Sequence, residues 1–290
     1  MKTYNTLYLE ARSALMEAGI EEASFEAKHL VASASGKTLS GLMAALSFYS
    51  SGEIEGRVKD FLERRLSGEP LAYVTSSWEF YGIPLRITPD VLIPRADTEV
   101  LVDAAKAFLK GAEPSCRILD LCTGSGCIAC ALAKELPSSR ITAADNSSKA
   151  LDVCKKNVKE LNLSSRIICM KADALSAPPF GLGSFDLIIS NPPYIESSEI
   201  KKLDPSVKNY EPKAALDGGK DGLDFYRGII KYWKMLLREN GAIIFEVGEG
   251  QAEAVGEMLL SAGFESAHFE KDTSGTDRAV IGIKKQLKGT

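Results

Sequence analysis

The segment from Asn191 to Tyr194 combines residue types that could perform chemistry on an amino group. Pro192 and Pro193 fix φ and lack backbone donors, so the loop is stiff and its carbonyl groups stay available to a ligand. The Asn191 side-chain oxygen and the Pro192 carbonyl could accept both protons of an NH2 group, and Tyr194 offers a face for the planar group to stack on. Such contacts would align an amide or aromatic amine nitrogen with a methyl carbon and favour the pyramidal nitrogen whose lone pair is available.

A second group of functional residue types lies at the ends of three predicted strands. The first strand ends in DLCTGSG, residues 120–126, where glycines allow a tight turn and close approach of a ligand before a helix begins. Asp145 ends the second strand, and Asp173 follows the third. In a parallel sheet these ends meet at one edge. The sequence therefore predicts one cofactor pocket formed by Asp120, Cys122, Thr123, Gly124, Ser125, Gly126, Asp145, Asp173 and Asn191.

The glycine-rich loop is compatible with two cofactors. Gly124-x-Gly126-x-x-Ala129 fits the dinucleotide fingerprint, so the motif alone does not separate NAD from S-adenosylmethionine. The carboxylate of Asp120 suits a cationic ligand that bears an amino acid better than a pyrophosphate, and Asp173 could accept from an adenine amino group. The competing interpretations are structural: helix capping by the acidic residues, a plain glycine turn, and an ordinary proline turn over 191–194.

Strand and helix patterns alternate from Arg117 onward, after a helix that Asp97 or Thr98 would cap. Five apolar runs read as strands: RILDL, RITAAD, RIICMKAD, FDLIIS and AIIFEVG. Helical patterns at about 126–136 and 147–161 and one long helix over 223–240 lie between these runs. A helix over 252–263 precedes closing strands near 264–270 and 277–284. This alternation predicts a largely parallel α/β sheet with helices on both faces. It places Asn191 at the end of the fourth strand, beside the predicted pocket.

The first 75 residues have helical patterns only. In residues 51–68, apolar side chains recur on one helical face: Ile54, Val58, Phe61, Leu62 and Leu66. Residues 1–70 contain eight Lys and Arg against ten Asp and Glu and no basic stripe, so the bundle suits a protein partner better than a phosphate backbone. The predicted domains are a helical bundle over 1–75, a β-hairpin connector over 76–95 and the α/β domain over 96–290.

Composition narrows the class of protein. The 290 residues are 45% hydrophobic and 26% charged, which is typical of a globular protein with a sizeable core, and the net charge of -4 disfavours direct nucleic-acid binding. Because no apolar run of about 18 residues and no signal-peptide pattern is present, we expect a cytoplasmic protein without a membrane span. The six cysteines include one C-x-x-C pair with no second pair or nearby histidine, so we expect structural thiols and no metal site.

Six segments resemble the glutamine methyltransferases of peptide chain release factors: GEPLAYVTSSWEFYGIPL, LIPRADTE, ILDLCTGSG, SNPPYI, EPKAALDGGKDGLDFYR and GTDRAV. The resemblance covers nearly the whole chain and implies a Rossmann-like class I methyltransferase domain that uses S-adenosylmethionine. It implies a catalytic role for Asn191, Pro192 and Tyr194, with Pro193 joining them in substrate binding. The implied substrate is the glutamine of the release-factor Gly-Gly-Gln loop, methylated on its side-chain amide nitrogen. The N-terminal bundle is implied to help hold the release factor.

The chain departs from this family pattern at two positions. Cys122 stands where the loop usually has its first glycine, and we expect it to keep the turn. Ala174 stands where some relatives carry a tryptophan against the adenine. The main alternative function is an amino-methyltransferase acting on adenine or cytosine in nucleic acid, which would flip the base into the same Asn-Pro-Pro-Tyr loop. An NAD-dependent oxidoreductase and a non-catalytic binding module are further rivals, and the 191–194 loop argues against both.

Overall fold

The computed structural model of the protein describes residues 1–110 and 115–285, which form two compact units. The first unit contains Met1–Trp78 and Asp204–Tyr210, and the second contains Glu79–Leu203 and Glu211–Thr290. The sequence pattern places 204–210 with the α/β domain, whereas in the structure this segment packs within the helical unit. The Tyr210 hydroxyl donates to the carbonyl of Ser67 at 3.1 Å.

The first unit is helical. Its elements are α1 (Tyr4–Glu17), α2 (Ala23–Ala34), α3 (Leu39–Ala44), α4 (Gly52–Leu66) and α5 (Leu71–Thr75), to which the separate segment adds α9 (Pro205–Lys208). The apolar stripe predicted on α4 is largely confirmed. Val58 is buried, and Ile54, Phe61 and Leu62 pack against buried residues of α1 and α2, whereas Leu66 is exposed.

The remaining elements follow in chain order. Strands β1 (Ser77–Phe80) and β2 (Ile83–Arg86) pair as a separate two-stranded sheet across the turn at Gly82. The α/β elements are α6 (Glu99–Leu109), β3 (Arg117–Leu121), α7 (Cys127–Glu135), β4 (Arg140–Asp145), α8 (Ser148–Glu160), β5 (Ile167–Lys171), β6 (Phe185–Ser190), α10 (Asp224–Trp233), β7 (Leu237–Glu246), α11 (Ala252–Ser261), β8 (Phe264–Lys271) and β9 (Asp277–Lys284). Across the described ranges, no helix is both long enough and apolar enough to cross a membrane.

Within residues 115–285, seven strands form one sheet in the order β5-β4-β3-β6-β7-β9-β8. Strands β3 to β7 pair in parallel, and β9 runs antiparallel to both β7 and β8. The largely parallel sheet predicted from the sequence is therefore confirmed. The chain moves outward through β4 and β5 and then returns to β6, so the strand order reverses between β3 and β6. Ligands bind at the carboxyl ends of the strands at such a switch point.

Both faces of the sheet are buried. Leu119 and Ile243 pack on one face with Val255 of α11. The neighbouring residues Ile118 and Ala242 point to the opposite face, because side chains alternate along a strand, and they are equally inaccessible to solvent. Burial on both faces explains why these strands have continuous apolar sequences.

The predicted long helix over 223–240 is wrong at its C-terminal end. Helix α10 ends at Trp233, a 3-10 turn covers Lys234–Leu236, and β7 begins at Leu237. Leu237 pairs with Phe185 of β6, and both side chains are buried. Tertiary strand pairing therefore overrides the local helix propensity of this segment.

Two carboxylates are buried where strands end. Asp120 lies near the end of β3 and is 0% exposed, and Glu246 ends β7 and is 1% exposed. Burial raises the pKa of Asp120 to about 7 and that of Glu246 to about 7. The folded protein therefore binds a proton at each group more tightly than the unfolded chain does.

We predict that the free energy of unfolding falls as the pH rises from about 5 to about 8. The pKa of Glu246 rises from 4.5 to about 7 on folding, so its stabilising contribution is complete below pH 4.5 and is lost as the pH rises through 7. Glu246→Gln removes this titration and should reduce the slope. Glu239→Gln, at an exposed position of the same strand, should keep the wild-type slope. Urea unfolding over this pH range measures the slopes, and identical slopes for the three proteins would contradict the prediction.

Candidate active site

A buried side-chain hydrogen bond joins the ends of β3 and β6. Leu121 and Ser190 are paired in the parallel register, and the Ser190 hydroxyl donates to the Leu121 carbonyl at 2.7 Å. Cys122 and Asn191 are the next residues along the two chains. The glycine-rich loop and the proline loop, predicted from distant parts of the sequence, therefore begin side by side.

The loop after β3 has left-handed backbone at three positions: φ is 59° at Cys122, 55° at Gly124 and 81° at Gly126. Cys122 therefore keeps the turn, as expected. Gly126 is required by packing, because a Cβ there would lie 2.6 Å from the Sγ atom of Cys154 on α8. A Cβ at Gly124 would meet no atom within 4 Å, so only its positive φ favours glycine.

Two of the predicted aspartates hold the glycine-rich loop. Asp145, at the end of β4, accepts hydrogen bonds from the backbone N–H groups of Gly124 at 2.9 Å and Ser147 at 2.8 Å. Asp120 lies beneath the loop and accepts from the Thr123 hydroxyl at 2.6 Å. Burial raises the pKa of Asp145, while its bonds to backbone N–H groups oppose that shift. These hydrogen bonds fix the conformation of the glycine-rich loop.

Asp173 forms a local turn after β5. Its carboxylate accepts from the Leu175 N–H and from the Ser176 hydroxyl, each at 2.9 Å. Each carboxylate oxygen has a second lone pair, so the group can still accept from a ligand.

A cavity of about 460 Å³ is lined by residues of both loops, which is a volume typical of small-molecule sites. The predicted site residues that line it are Cys122, Thr123, Gly124, Ser125, Asp145, Asp173, Asn191 and Pro193. Asp120, Gly126, Pro192 and Tyr194 do not line it. Asp90 adds a third carboxylate to the lining, and none of the described lining residues is Lys or Arg. Asp90 forms an ion pair with Lys149 at 3.4 Å, so the acidic character of the wall comes mainly from Asp145 and Asp173.

The proline loop has two acceptors that receive no hydrogen bond from any described residue. The Asn191 amide nitrogen donates to the Thr98 hydroxyl oxygen at 3.2 Å, and Asn191 lines the cavity. In the part of the chain that the structure describes, no donor bonds to the Asn191 side-chain oxygen or to the Pro192 carbonyl. A stiff loop with two available acceptors can bind both protons of an NH2 group.

Tyr194 is held on the side of β7 and α11. Its hydroxyl donates to Glu246 Oε1 at 3.4 Å, and Gln251 Nε2 donates to its carbonyl at 3.0 Å. A Cβ at Gly218 would lie 2.7 Å from the Tyr194 Cα atom, and one at Gly222 would lie 2.4 Å from its carbonyl oxygen. Both glycines are therefore needed where their segment crosses the Tyr194 backbone.

A buried carboxylate ties together two segments of the cavity lining. Glu211, whose side chain is 1% exposed, forms an ion pair with Arg95 and accepts from the Ile93 N–H at 3.2 Å. Pro94 and Pro212, which adjoin these residues, both line the cavity. The ion pair thus fixes two parts of the wall relative to each other.

Sequence reasoning misses three residues that support the site: Thr98, Glu246 and Gln251. The sequence suggests Thr98 as a helix cap, but α6 begins without a side-chain cap and the Thr98 hydroxyl bonds Asn191 instead. Glu246 carries a detectable signal, since it is a charge at the end of the apolar run AIIFEVG. Gln251 carries none, because its partner Tyr194 is 57 residues away.

Two family models match separate parts of the chain, each lying mainly in one of its two units. The Methyltransferase small domain matches residues 97–204, and the PrmC N-terminal domain matches residues 6–75. A solved methyltransferase from Pyrococcus furiosus has a similar structure, with a TM-score of 0.52 and 18% identity over 79% of this chain and 100% of that chain. This likeness shows the fold.

Relatives of higher identity show the family. The release factor glutamine methyltransferase of Thermodesulfovibrio yellowstonii is 44% identical over 225 residues, which are 77% of this chain and 80% of that protein. The release factor glutamine methyltransferase of Geobacter sulfurreducens is 39% identical over 271 residues, which are 93% of each chain. The chain therefore belongs to the release factor glutamine methyltransferase family.

Proposed function

We propose that the protein transfers a methyl group from S-adenosyl-L-methionine to the side-chain amide nitrogen of the glutamine in the Gly-Gly-Gln motif of class I peptide chain release factors. The observation that carries this proposal is the pair of available acceptors, Asn191 Oδ1 and the Pro192 carbonyl, on a loop that borders an acidic cavity. Family membership supports glutamine as the methyl acceptor.

The acidic wall favours a cationic cofactor over a dinucleotide. Asp90, Asp145 and Asp173 line the cavity, and no Lys or Arg among the described lining residues could neutralise a pyrophosphate. S-adenosylmethionine supplies an electrophilic methyl group on a positively charged sulfonium sulfur. Asp145 would bind its ribose hydroxyls, and Asp173 would accept from its adenine amino group.

Asn191 and Pro192 would act on the acceptor nitrogen. An amide nitrogen is a poor nucleophile because its lone pair is delocalised into the carbonyl group. When the Asn191 and Pro192 oxygens each accept a hydrogen bond from this nitrogen, they align it with the methyl carbon. They also favour the pyramidal geometry in which the lone pair is available. Tyr194 would stack on the planar amide, and its contacts to Glu246 and Gln251 keep the loop in place beforehand. No strong general base is needed, because the methylated nitrogen is acidic and loses its proton readily.

The helical first unit is the proposed docking element for the release factor. It exposes two adjacent aromatic side chains, Phe48 at 65% and Tyr49 at 67%. Exposed aromatic residues are enriched in protein interfaces, and the acidic balance of residues 1–70 opposes a phosphate backbone.

Transfer of labelled methyl groups tests the proposed function. The protein is incubated with labelled S-adenosylmethionine and, separately, with a release factor, the same factor with alanine in place of the Gly-Gly-Gln glutamine, ribosomal RNA and DNA. We expect label on the intact release factor only. Label on RNA or DNA and none on the factor would instead support the nucleic-acid alternative.

We predict that Asn191→Ala lowers single-turnover methylation by about 100- to 1000-fold, because one contact that strengthens in the transition state is lost. Cofactor affinity should change little. Asn191→Asp retains an acceptor and should lose less activity than the alanine variant. If Asn191→Ala kept near-normal turnover, the 191–194 loop would have a structural role only, and the proposed catalytic role would be wrong.

A second prediction concerns the cofactor. Asp145→Ala should weaken S-adenosylmethionine binding by about 1.5 to 3 kcal/mol, the contribution of a hydrogen bond to a charged group. Asp152→Ala, at an exposed position on α8, is the matched control and should bind normally. Isothermal titration measures both variants. If Asp145→Ala bound with wild-type affinity, the residue would serve only to hold the loop.

A third prediction tests docking by the helical unit. Replacing Phe48 and Tyr49 together with serine should raise the KM for the release factor by about tenfold or more, as the loss of aromatic interface residues does. The turnover number and cofactor affinity should stay unchanged. Phe180→Ser removes a fully exposed aromatic side chain of the second unit and serves as the control. Steady-state kinetics at varied release-factor concentration measures the KM. A wild-type KM for the double variant would contradict docking through Phe48 and Tyr49.

A further inference from the structure

The Thr98 hydroxyl bonds the side chain of Asn191 and does no capping. Thr98 ends the 3-10 turn Ala96–Thr98 just before α6 and is 2% exposed. A threonine at this position commonly accepts from a backbone N–H of the first helical turn, yet no such bond is made here. Its oxygen instead accepts from Asn191 Nδ2 at 3.2 Å.

The buried carboxylate of Glu246 adjoins this hydroxyl. Burial raises the pKa of Glu246, and hydrogen bonding from Thr98 lowers it. The Oε2 atom of Glu246 is inaccessible to solvent and has no hydrogen-bond partner among the described residues, while Oε1 accepts from the Tyr194 hydroxyl. In its ionised form Glu246 only accepts hydrogen bonds, and the Thr98 hydroxyl has a single proton to donate. When the Thr98 hydroxyl donates its hydrogen bond to this unpaired carboxylate oxygen, the Thr98 oxygen can only accept from Asn191.

This relay gives the Asn191 amide one orientation. The two ends of an asparagine amide have nearly the same shape but opposite hydrogen-bonding character. With the NH2 end bonded to Thr98, the oxygen end is left for the cavity that Asn191 lines. The flipped amide would present donors to the donors of a substrate NH2 group and leave buried polar atoms unpaired.

We propose that Thr98, with its proton directed to Glu246, is a positioning residue that fixes Asn191 with its amide oxygen toward the substrate nitrogen. This inference rests on the proposed role of Asn191 in the methyl transfer. In this scheme Glu246 supports both ends of the 191–194 loop, because it accepts from Tyr194 directly and would accept from Thr98, which bonds Asn191. Thr98 touches neither the substrate nitrogen nor the methyl group in this scheme.

A double-mutant cycle on the full chain tests the relay, with single-turnover methylation of a release factor as the readout and titration of S-adenosylmethionine alongside. Thr98→Val has the same shape without the hydroxyl and should lower the rate constant by about tenfold, as the loss of one hydrogen bond does. Cofactor affinity should stay at the wild-type value. Thr98→Ser keeps the hydroxyl and should restore most of the rate. Thr98→Ser and Thr98→Ala form a second pair, with and without the hydroxyl, in case the valine variant folds poorly.

The background lacking the asparagine amide separates positioning from a general structural effect. In Asn191→Ala, adding Thr98→Val should cost less than about twofold, because no amide remains to orient. An equal cost of Thr98→Val in both backgrounds, or no cost in either, would overturn the relay. Failure of the proposed function has a different signature, since the wild-type protein would then leave the release factor unmethylated.

Discussion

The candidate site depends on one register, in which Leu121 of β3 faces Ser190 of β6 and accepts a buried hydrogen bond from it. Because both strands are parallel and end at this pair, the loops that follow must leave the sheet together. A shift by one residue would turn every side chain of a strand to the opposite face. The buried apolar side chains on both faces of the sheet exclude such a shift. Hydrophobic packing across the whole sheet therefore determines where Cys122 and Asn191 meet.

The structure places charge where burial makes it costly. Asp120, Glu211 and Glu246 are buried carboxylates near the ends of site-forming segments, and each contacts a loop that lines the cavity or supports it. Partners reduce the cost of burial: a hydroxyl for Asp120, an arginine and a backbone N–H for Glu211, and the Tyr194 hydroxyl for Glu246. In return, the loops acquire a single geometry, which is the preorganisation that transition-state stabilisation requires.

Steric constraints complete the same loops. Gly126 allows α8 to approach the turn, and Gly218 and Gly222 allow their segment to cross the backbone of Tyr194. These glycines lie in segments that resemble those of a known family, but the steric reason for requiring glycine differs from one position to the next. Gly126 makes room for a side chain of the protein itself, whereas a ligand is the reason that the sequence suggests. A glycine motif thus predicts a close approach without identifying what approaches.

Apolar periodicity and turn residues act locally, so the sequence alone predicts most of the strands β3 to β9, the parallel α/β architecture and the two loops at Cys122 and Asn191 that line the cavity. Features that depend on distant partners become apparent only in the folded chain. Leu237 joins a strand because Phe185 pairs with it, although its own segment favours a helix. Thr98 bonds the side chain of Asn191, which is 93 residues away in sequence, and does not cap the helix that follows it. Glu246 contacts Tyr194 only because β7 pairs with β6 in the sheet. No local sequence pattern specifies which loop the buried carboxylate contacts.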